Sequence, residues 1–126
     1  MRLLLDTHVI LWQLSGERSL SSPAQDVIRS AQTLFVSAVS FAEIGVRAAV
    51  GKLEVPDDLV DHVVQSGLRV LPLAPEHGLR VARLPMYHRD PFDRLLISQA
   101  QIENLTIVTA DERILRYEVA CLSAVA

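Results

Sequence analysis

Leu3-Leu4-Leu5-Asp6-Thr7-His8-Val9 is the stretch on which the fold turns. The leucine run reads as a short buried strand, and Asp6 falls at its carboxyl end. Thr7 to Leu14 is apolar enough for a helix, with Gly16 beyond it as a stop. Ser22-Pro23-Ala24-Gln25 starts a second helix, with Ser22 as cap, Pro23 at the first helical position and Gln25 completing a capping box. That helix is expected to reach about Ala31 and to bury Val27 and Ile28.

The alternation continues along the chain. Thr33-Leu34-Phe35-Val36 is strand-like, and Ser37 or Ser40 then caps a helix through Val50, closed by Gly51. Pro56-Asp57-Asp58 opens a helix that ends at Gly67, and Arg69-Val70-Leu71 makes a third strand. Pro75 opens a helix across Leu79, Val81, Ala82 and Leu84; Asp90-Pro91-Phe92-Asp93 begins the next, carrying Leu95, Leu96, Ile97 and Ala100. Thr106-Ile107-Val108-Thr109 is a fourth strand, Asp111 to Arg116 a short helical turn, and Val119-Ala120-Cys121-Leu122 an edge strand. Strands alternating with helices, mostly without hairpin signals, predict an α/β fold: a mostly parallel sheet of four to five strands with helices on both faces. Residues 1–126 show no repeat or linker and read as one domain.

Composition narrows the function. Half of the 126 residues are hydrophobic and 21% are charged, too apolar for a disordered chain. The one cysteine, Cys121, excludes an internal disulfide and fits a reducing cytoplasm. The longest uncharged stretch, Ser30 to Ala42, is interrupted by Gln32, Thr33, Ser37 and Ser40, too short and too polar for a bilayer span of about 20 residues. Net charge is −3, all of it in residues 1–63, and Arg outnumbers Lys eleven to one. A duplex binder working by bulk charge would carry a net basic face. A nucleic-acid enzyme with metal ions supplying local positive charge remains compatible.

Four acids stand out against this pattern. Asp6 follows the leucine run and either caps the next helix or binds a cation. Glu43 has Val39, Val46 and Val50 on its face, an unexpectedly apolar setting, although Arg47 stands ready as an i,i+4 partner. Asp93, one turn before Leu96 and Ile97, sits at the margin of a buried stripe, or complements the helix dipole together with Asp90. Asp111 lies beyond the carboxyl end of the Thr106–Thr109 strand and can also cap the turn through Arg116. Open parallel sheets gather function outside the carboxyl ends of their strands. Several carboxylates meeting there repel one another, and Mg²⁺ or Mn²⁺ is the ordinary remedy. Such a site suits attack of water on a phosphodiester.

Leu-Leu-Leu-Asp-Thr-His at 3–8, Val-Ser-Ala-Val-Ser-Phe-Ala-Glu-Ile at 36–44, His-Arg-Asp-Pro-Phe-Asp-Arg-Leu-Leu-Ile-Ser-Gln-Ala at 88–100 and Ile-Val-Thr-Ala-Asp at 107–111 together resemble the PIN domain. The similarity is closest to the VapC-type ribonuclease toxins of bacterial toxin–antitoxin pairs and spans nearly the whole chain. It implies a PIN-like three-layer sandwich and a metal-dependent endoribonuclease whose acids are Asp6, Glu43, Asp93 and Asp111. Asp6 and Asp93 are then the main ligands of Mg²⁺ or Mn²⁺, with Thr7 in a small-hydroxyl position beside the first acid. Asp90 is an alternative to Asp93, which the spacing to Ala100 favours. The resemblance also implies an RNA substrate, a cognate antitoxin and a homodimer.

The other polar residues carry structural expectations. His8 and His88 flank acids and are assigned local hydrogen bonds; His62 and His77 read as helix-surface residues. Arg89 and Arg94 either hold RNA phosphates or lie in solvent, paired with Asp90. Trp12 and Phe35 fill core, and Cys121 is an inert buried thiol. Two other classes compete: a protein-binding scaffold without catalysis, which four intact acids argue against, and a signalling receiver. A receiver needs paired acids after the first strand and a lysine after the last; here Asp6 precedes Thr7 and the single lysine is Lys52.

Overall fold

A computed structural model describes residues 1–16 and 20–125. Five strands form one parallel sheet in the order β3-β2-β1-β4-β5: β1 (Arg2–Leu5), β2 (Thr33–Ser37), β3 (Arg69–Leu71), β4 (Thr106–Thr109) and β5 (Cys121–Ser123). Six α-helices join them: α1 (Thr7–Ser15), α2 (Ser22–Ser30), α3 (Ala38–Ala49), α4 (Leu59–Gln65), α5 (Pro75–Arg80) and α6 (Pro91–Glu103).

The central strand explains the layering. Leu3, Leu4 and Leu5 are all fully buried, because side chains alternate across a strand and both faces of this sheet are covered. Leu3 and Leu5 pack with Val9, Ile10, Ala24 and Val63, from α1, α2 and α4. Leu4 packs with Leu96, Ile97 and Ala100 of α6 on the other face. The same alternation sends Val108 to the first core and Ile107 to the second. The result is the three-layer α/β sandwich expected from the alternating pattern.

Several boundaries differ from the expected ones. Ser21, not Ser22, caps α2: its backbone is extended and its Oγ accepts from Ala24 N–H at 3.2 Å. Pro23 therefore stands at the second helical position, and the Gln25 amide donates to Leu20 O instead of closing a capping box. In that helix Ala24 is buried and Val27 and Ile28 only half-buried. Helix α4 begins at Leu59, after a turn at 57–58. The helix opened by Pro75 is α-helical only to Arg80 and tightens into a 3₁₀ turn over Val81–Arg83. It turns His77 inward and leaves Leu79 79% exposed, the reverse of its expected apolar face. Strand β5 starts at Cys121, because Tyr117 is anchored to Pro85 O and the chain must turn before reaching the sheet edge. Among the described residues, no helix is long and apolar enough to cross a membrane.

Candidate active site

Strands β1, β2 and β3 run outward to one flank, and the chain then returns to place β4 on the other side of β1. The crevice outside the ends of β1 and β4 is therefore the topological switch point, where open α/β sheets put their chemistry. Asp6 follows β1 directly, its N–H extending the ladder to Val108 O at 3.0 Å. It occupies the cap position of α1, yet its side chain makes no capping hydrogen bond. Instead Oδ2 accepts from the Thr109 hydroxyl at 2.7 Å, and that same Oγ1 accepts from Asp111 N–H at 3.0 Å. One threonine at the end of β4 thus ties two of the acids together.

Glu43 arrives on α3. Ser37 caps this helix, its Oγ accepting from Val39 N–H at 2.9 Å. Ser40 instead shares a 2.8 Å hydrogen bond with the Thr7 hydroxyl, pinning α3 beside α1 and turning Glu43, one turn on, into the crevice. Glu43 is buried, although Val46 and Val50 on its expected apolar face are more than half exposed. Its burial comes from facing the strand ends, not from a valine stripe. The i,i+4 pair also forms: Arg47 Nη2 lies 3.1 Å from Glu43 Oε2 and 3.1 Å from His8 Nε2.

Asp90 and Asp93 separate cleanly by role. Asp90 caps α6, its Oδ1 accepting from Phe92 N–H at 2.8 Å and Asp93 N–H at 3.2 Å. Asp93 is buried and turned inward, with Oδ2 2.6 Å from His88 Nε2. His88 Nε2 is also 3.3 Å from Asp111 Oδ2, while Nδ1 accepts from Asp90 N–H at 3.4 Å. That contact assigns the ring proton to Nε2, which makes His88 a donor to the acids.

The electrostatics are those of crowded anions. Burial pushes the Asp6 carboxyl up, with Thr109 and His8 pulling the other way. Asp93 is pushed up to about 8, first by burial and then by the charges of Asp6, Asp90, Glu43 and Asp111. Burial also works to raise Asp111, but hydrogen bonds and charge from Arg113 outweigh it and hold that group below its ordinary value. Among the described residues, no arginine or lysine pairs with Asp6 or Asp93.

Three oxygens remain unexplained by the protein itself. Asp6 Oδ1, Glu43 Oε1 and Asp93 Oδ1 are buried, and among the described residues none of them has a hydrogen-bond partner. A buried acceptor left unsatisfied costs about 1–3 kcal/mol, and more when charged. Carboxylate oxygens left bare in this way are hard donors of the kind a divalent cation takes. His88, Asp93 and Asp111 also bring potential ligand atoms within 4.8 Å of one another. Because Nε2 of His88 is engaged as a donor, the oxygens carry the fit.

Of the four acids singled out from the sequence, Asp6, Glu43 and Asp111 are all near enough for their charges to act on Asp93; His88 is held locally by Asp93, whereas His8 meets Arg47 of α3 instead of a neighbour in sequence. Other expectations fail. His77 is buried, its Nδ1 accepting from Ala74 N–H at 2.9 Å, so it is not a surface residue. Arg94 is buried too, reaching neither solvent nor Asp90. Its Nη1 donates to Pro85 O at 2.8 Å and His88 O at 3.3 Å, and its Nη2 to Val81 O at 2.9 Å and Leu84 O at 3.1 Å. Four backbone carbonyls replace a carboxylate partner, which is how a guanidinium is accommodated in an interior. Trp12 and Phe35 are half-buried and pack against the two cores. Cys121 is half-buried, and burial pushes its thiol up, away from the reactive form. Thr109 and Ser40 escaped notice as site residues; their spacing as isolated hydroxyls carries no signal until the strands are paired.

Comparison with known proteins agrees with this architecture. The family model described as PIN domain matches residues 3–120. Ribonuclease VapC22 from Mycobacterium tuberculosis is 29% identical over 119 residues, covering 88% of each chain. Among solved structures, VapBC2 from Rickettsia felis bound to a promoter DNA fragment superposes with a TM-score of 0.74 at 17% identity, covering 98% of both chains. DNA-bound VapBC from Salmonella typhimurium gives 0.70 at 14% identity, again over 98% of both. At those identities the structural likeness speaks to the fold. With the family match spanning nearly its whole length, the chain belongs to the PIN domain family.

Proposed function

We propose that this chain is a metal-dependent endoribonuclease that hydrolyses RNA phosphodiester bonds and acts as the toxin of a toxin–antitoxin pair. The observation that carries the reading is the set of three buried, partnerless carboxylate oxygens at the sheet's switch point. Support from outside the chain is its 29% identity to a ribonuclease, VapC22.

Asp6 and Asp93 are the main cation ligands, with Glu43 and Asp111 completing the acidic pocket; Mg²⁺ or Mn²⁺ suits this all-oxygen set. A bound cation supplies the positive charge that activates water at neutral pH and stabilises the leaving oxygen. Thr109 holds Asp6 through Oδ2, so that Oδ1 points into the pocket. His88 does the same for Asp93 by engaging its Oδ2. Glu43 is held through Oε2 by Arg47, which leaves Oε1 bare to complete the acidic pocket. A cognate antitoxin that covers the pocket, and association into a homodimer, complete the proposal.

The test is cleavage of varied RNAs with Mg²⁺ or Mn²⁺ by the wild type and by Asp6→Asn. Cleavage by the first and none by the second is expected. Equal inactivity of both across structured and unstructured RNAs would sink the enzyme reading. Light scattering coupled to gel filtration reads the dimer.

A further inference from the structure

Beyond the acidic pocket lies a second, oppositely charged feature. Arg80, Arg83 and Arg116 line one cleft of about 380 Å³, a volume that accommodates a nucleotide-sized anion rather than a duplex face. All three arginines are exposed, and among the described residues none makes an ion pair. Among the described residues, Glu118 is the one acid in the lining. In a chain of net charge −3, three guanidiniums without an acidic partner line one cleft, a local excess of positive charge that attracts an anion.

The anchoring of Arg80 and Arg116 distinguishes this cleft from ordinary surface arginines. Arg80 Nε donates to the Gln101 amide oxygen at 2.8 Å, and the Arg116 guanidinium lies 4.7 Å from the centre of the Tyr87 ring. Both partners are neutral, so they hold the side chains in place without cancelling their charge. Two contacts link the cleft to the acids. Tyr117 lines it, and its hydroxyl accepts from the N–H of His88, the residue that contacts Asp93 and Asp111. Arg113, paired with Asp111, and Arg116 are three residues apart across a 3₁₀ turn, hence on one side of it and about 6 Å apart along its axis.

We propose that the Arg80–Arg83–Arg116 cleft is a phosphate-binding subsite that takes the backbone of single-stranded RNA leaving the acidic pocket. This rests on the ribonuclease reading and names where its substrate lies. Guanidiniums contact phosphate oxygens in pairs and carry no base preference there, so the subsite adds affinity and register without sequence choice.

The experiment measures binding of a short, labelled, unstructured oligoribonucleotide by fluorescence anisotropy, with chelator present so that nothing is cut. The double variant Arg83→Ala/Arg116→Ala is expected to bind about tenfold more weakly at low salt. Its plot of log Kd against log salt should be shallower by about 1.4, two lost contacts at roughly 0.7 each on a single strand. Arg83→Lys/Arg116→Lys, which keeps the charge, should restore most of the slope. With Mn²⁺ the alanine variant should raise KM and leave kcat within about twofold, since it touches no reacting atom. Unchanged affinity and slope would overturn the subsite, as would a polyglutamate peptide that competes as well as RNA of equal charge, which would mark an acidic protein as the occupant. A wild type that binds RNA through this cleft but never cuts it would remove the nuclease reading and leave the subsite standing.

Discussion

His88 Nε2 bridges two acids from different elements, 2.6 Å from Asp93 Oδ2 and 3.3 Å from Asp111 Oδ2. Its backbone is clasped as well, with its N–H donating to Tyr117 Oη at 3.0 Å and its carbonyl accepting from Arg94 at 3.3 Å. The ring is therefore fixed at both ends, and it engages one Asp93 oxygen while leaving the other free. Partners that orient a metal ligand typically matter 10–100-fold for affinity. His88→Ala should weaken Mn²⁺ binding by about that factor, read by electron paramagnetic resonance of the free ion. His88→Gln, whose amide nitrogen can reach the same place, should recover most of it. Full Mn²⁺ affinity in the alanine variant would contradict the orienting role.

Removing an acid should have opposite effects on stability and on function. Asp6 and Asp93 are both desolvated, and Asp93 also feels its neighbours' charge. Asp93→Asn should raise the Tm of the metal-free protein while erasing the further rise that Mn²⁺ gives the wild type. Differential scanning fluorimetry with and without Mn²⁺ checks both halves; a wild type without any Mn²⁺-dependent rise would contradict the cation site.

The direction of pH dependence follows from Asp93. Its carboxyl lies near 8 in the fold against an ordinary value of 3.8, so between those values the folded protein binds more protons than the unfolded one. The contribution of this group to stability is fully present below about pH 3.8 and is lost as pH rises through about 8. Metal-free wild type should accordingly lose stability over that window relative to Asp93→Asn. Mn²⁺ affinity should rise with pH through the same window, because the ligand must be deprotonated. Urea titrations at several pH values measure the first and calorimetry the second.

Arg94 makes a prediction of another kind. Removing the guanidinium strands four buried or part-buried carbonyls in the 81–88 segment, so Arg94→Met should cost about 3 kcal/mol or more in urea unfolding. Arg94→Lys should rescue little, since one ammonium cannot span carbonyls that two guanidinium nitrogens now share. Equal stability of the methionine variant would show that the clasp is dispensable.

Much of this molecule was legible from local pattern. The apolar runs at Leu3–Leu5 and Thr106–Thr109 announce buried strands because a sheet covered on both faces tolerates no polar alternation, and the acids just beyond them are conspicuous for the same reason. Capping chemistry placed α3 and α6 within a residue or two, since it depends on near neighbours alone.

What local pattern could not supply is every role that depends on a distant partner. His77 and Arg94 look like surface residues until α5 and α6 pack together and enclose them. Thr109 becomes an Asp6 ligand across 103 positions of chain, and Ser40 meets Thr7 across 33. The identity of the acids was thus a property of sequence. Which of their oxygens are held and which are left bare was settled by tertiary packing, because a hydrogen bond needs a donor within about 3 Å in space, whatever its distance along the chain.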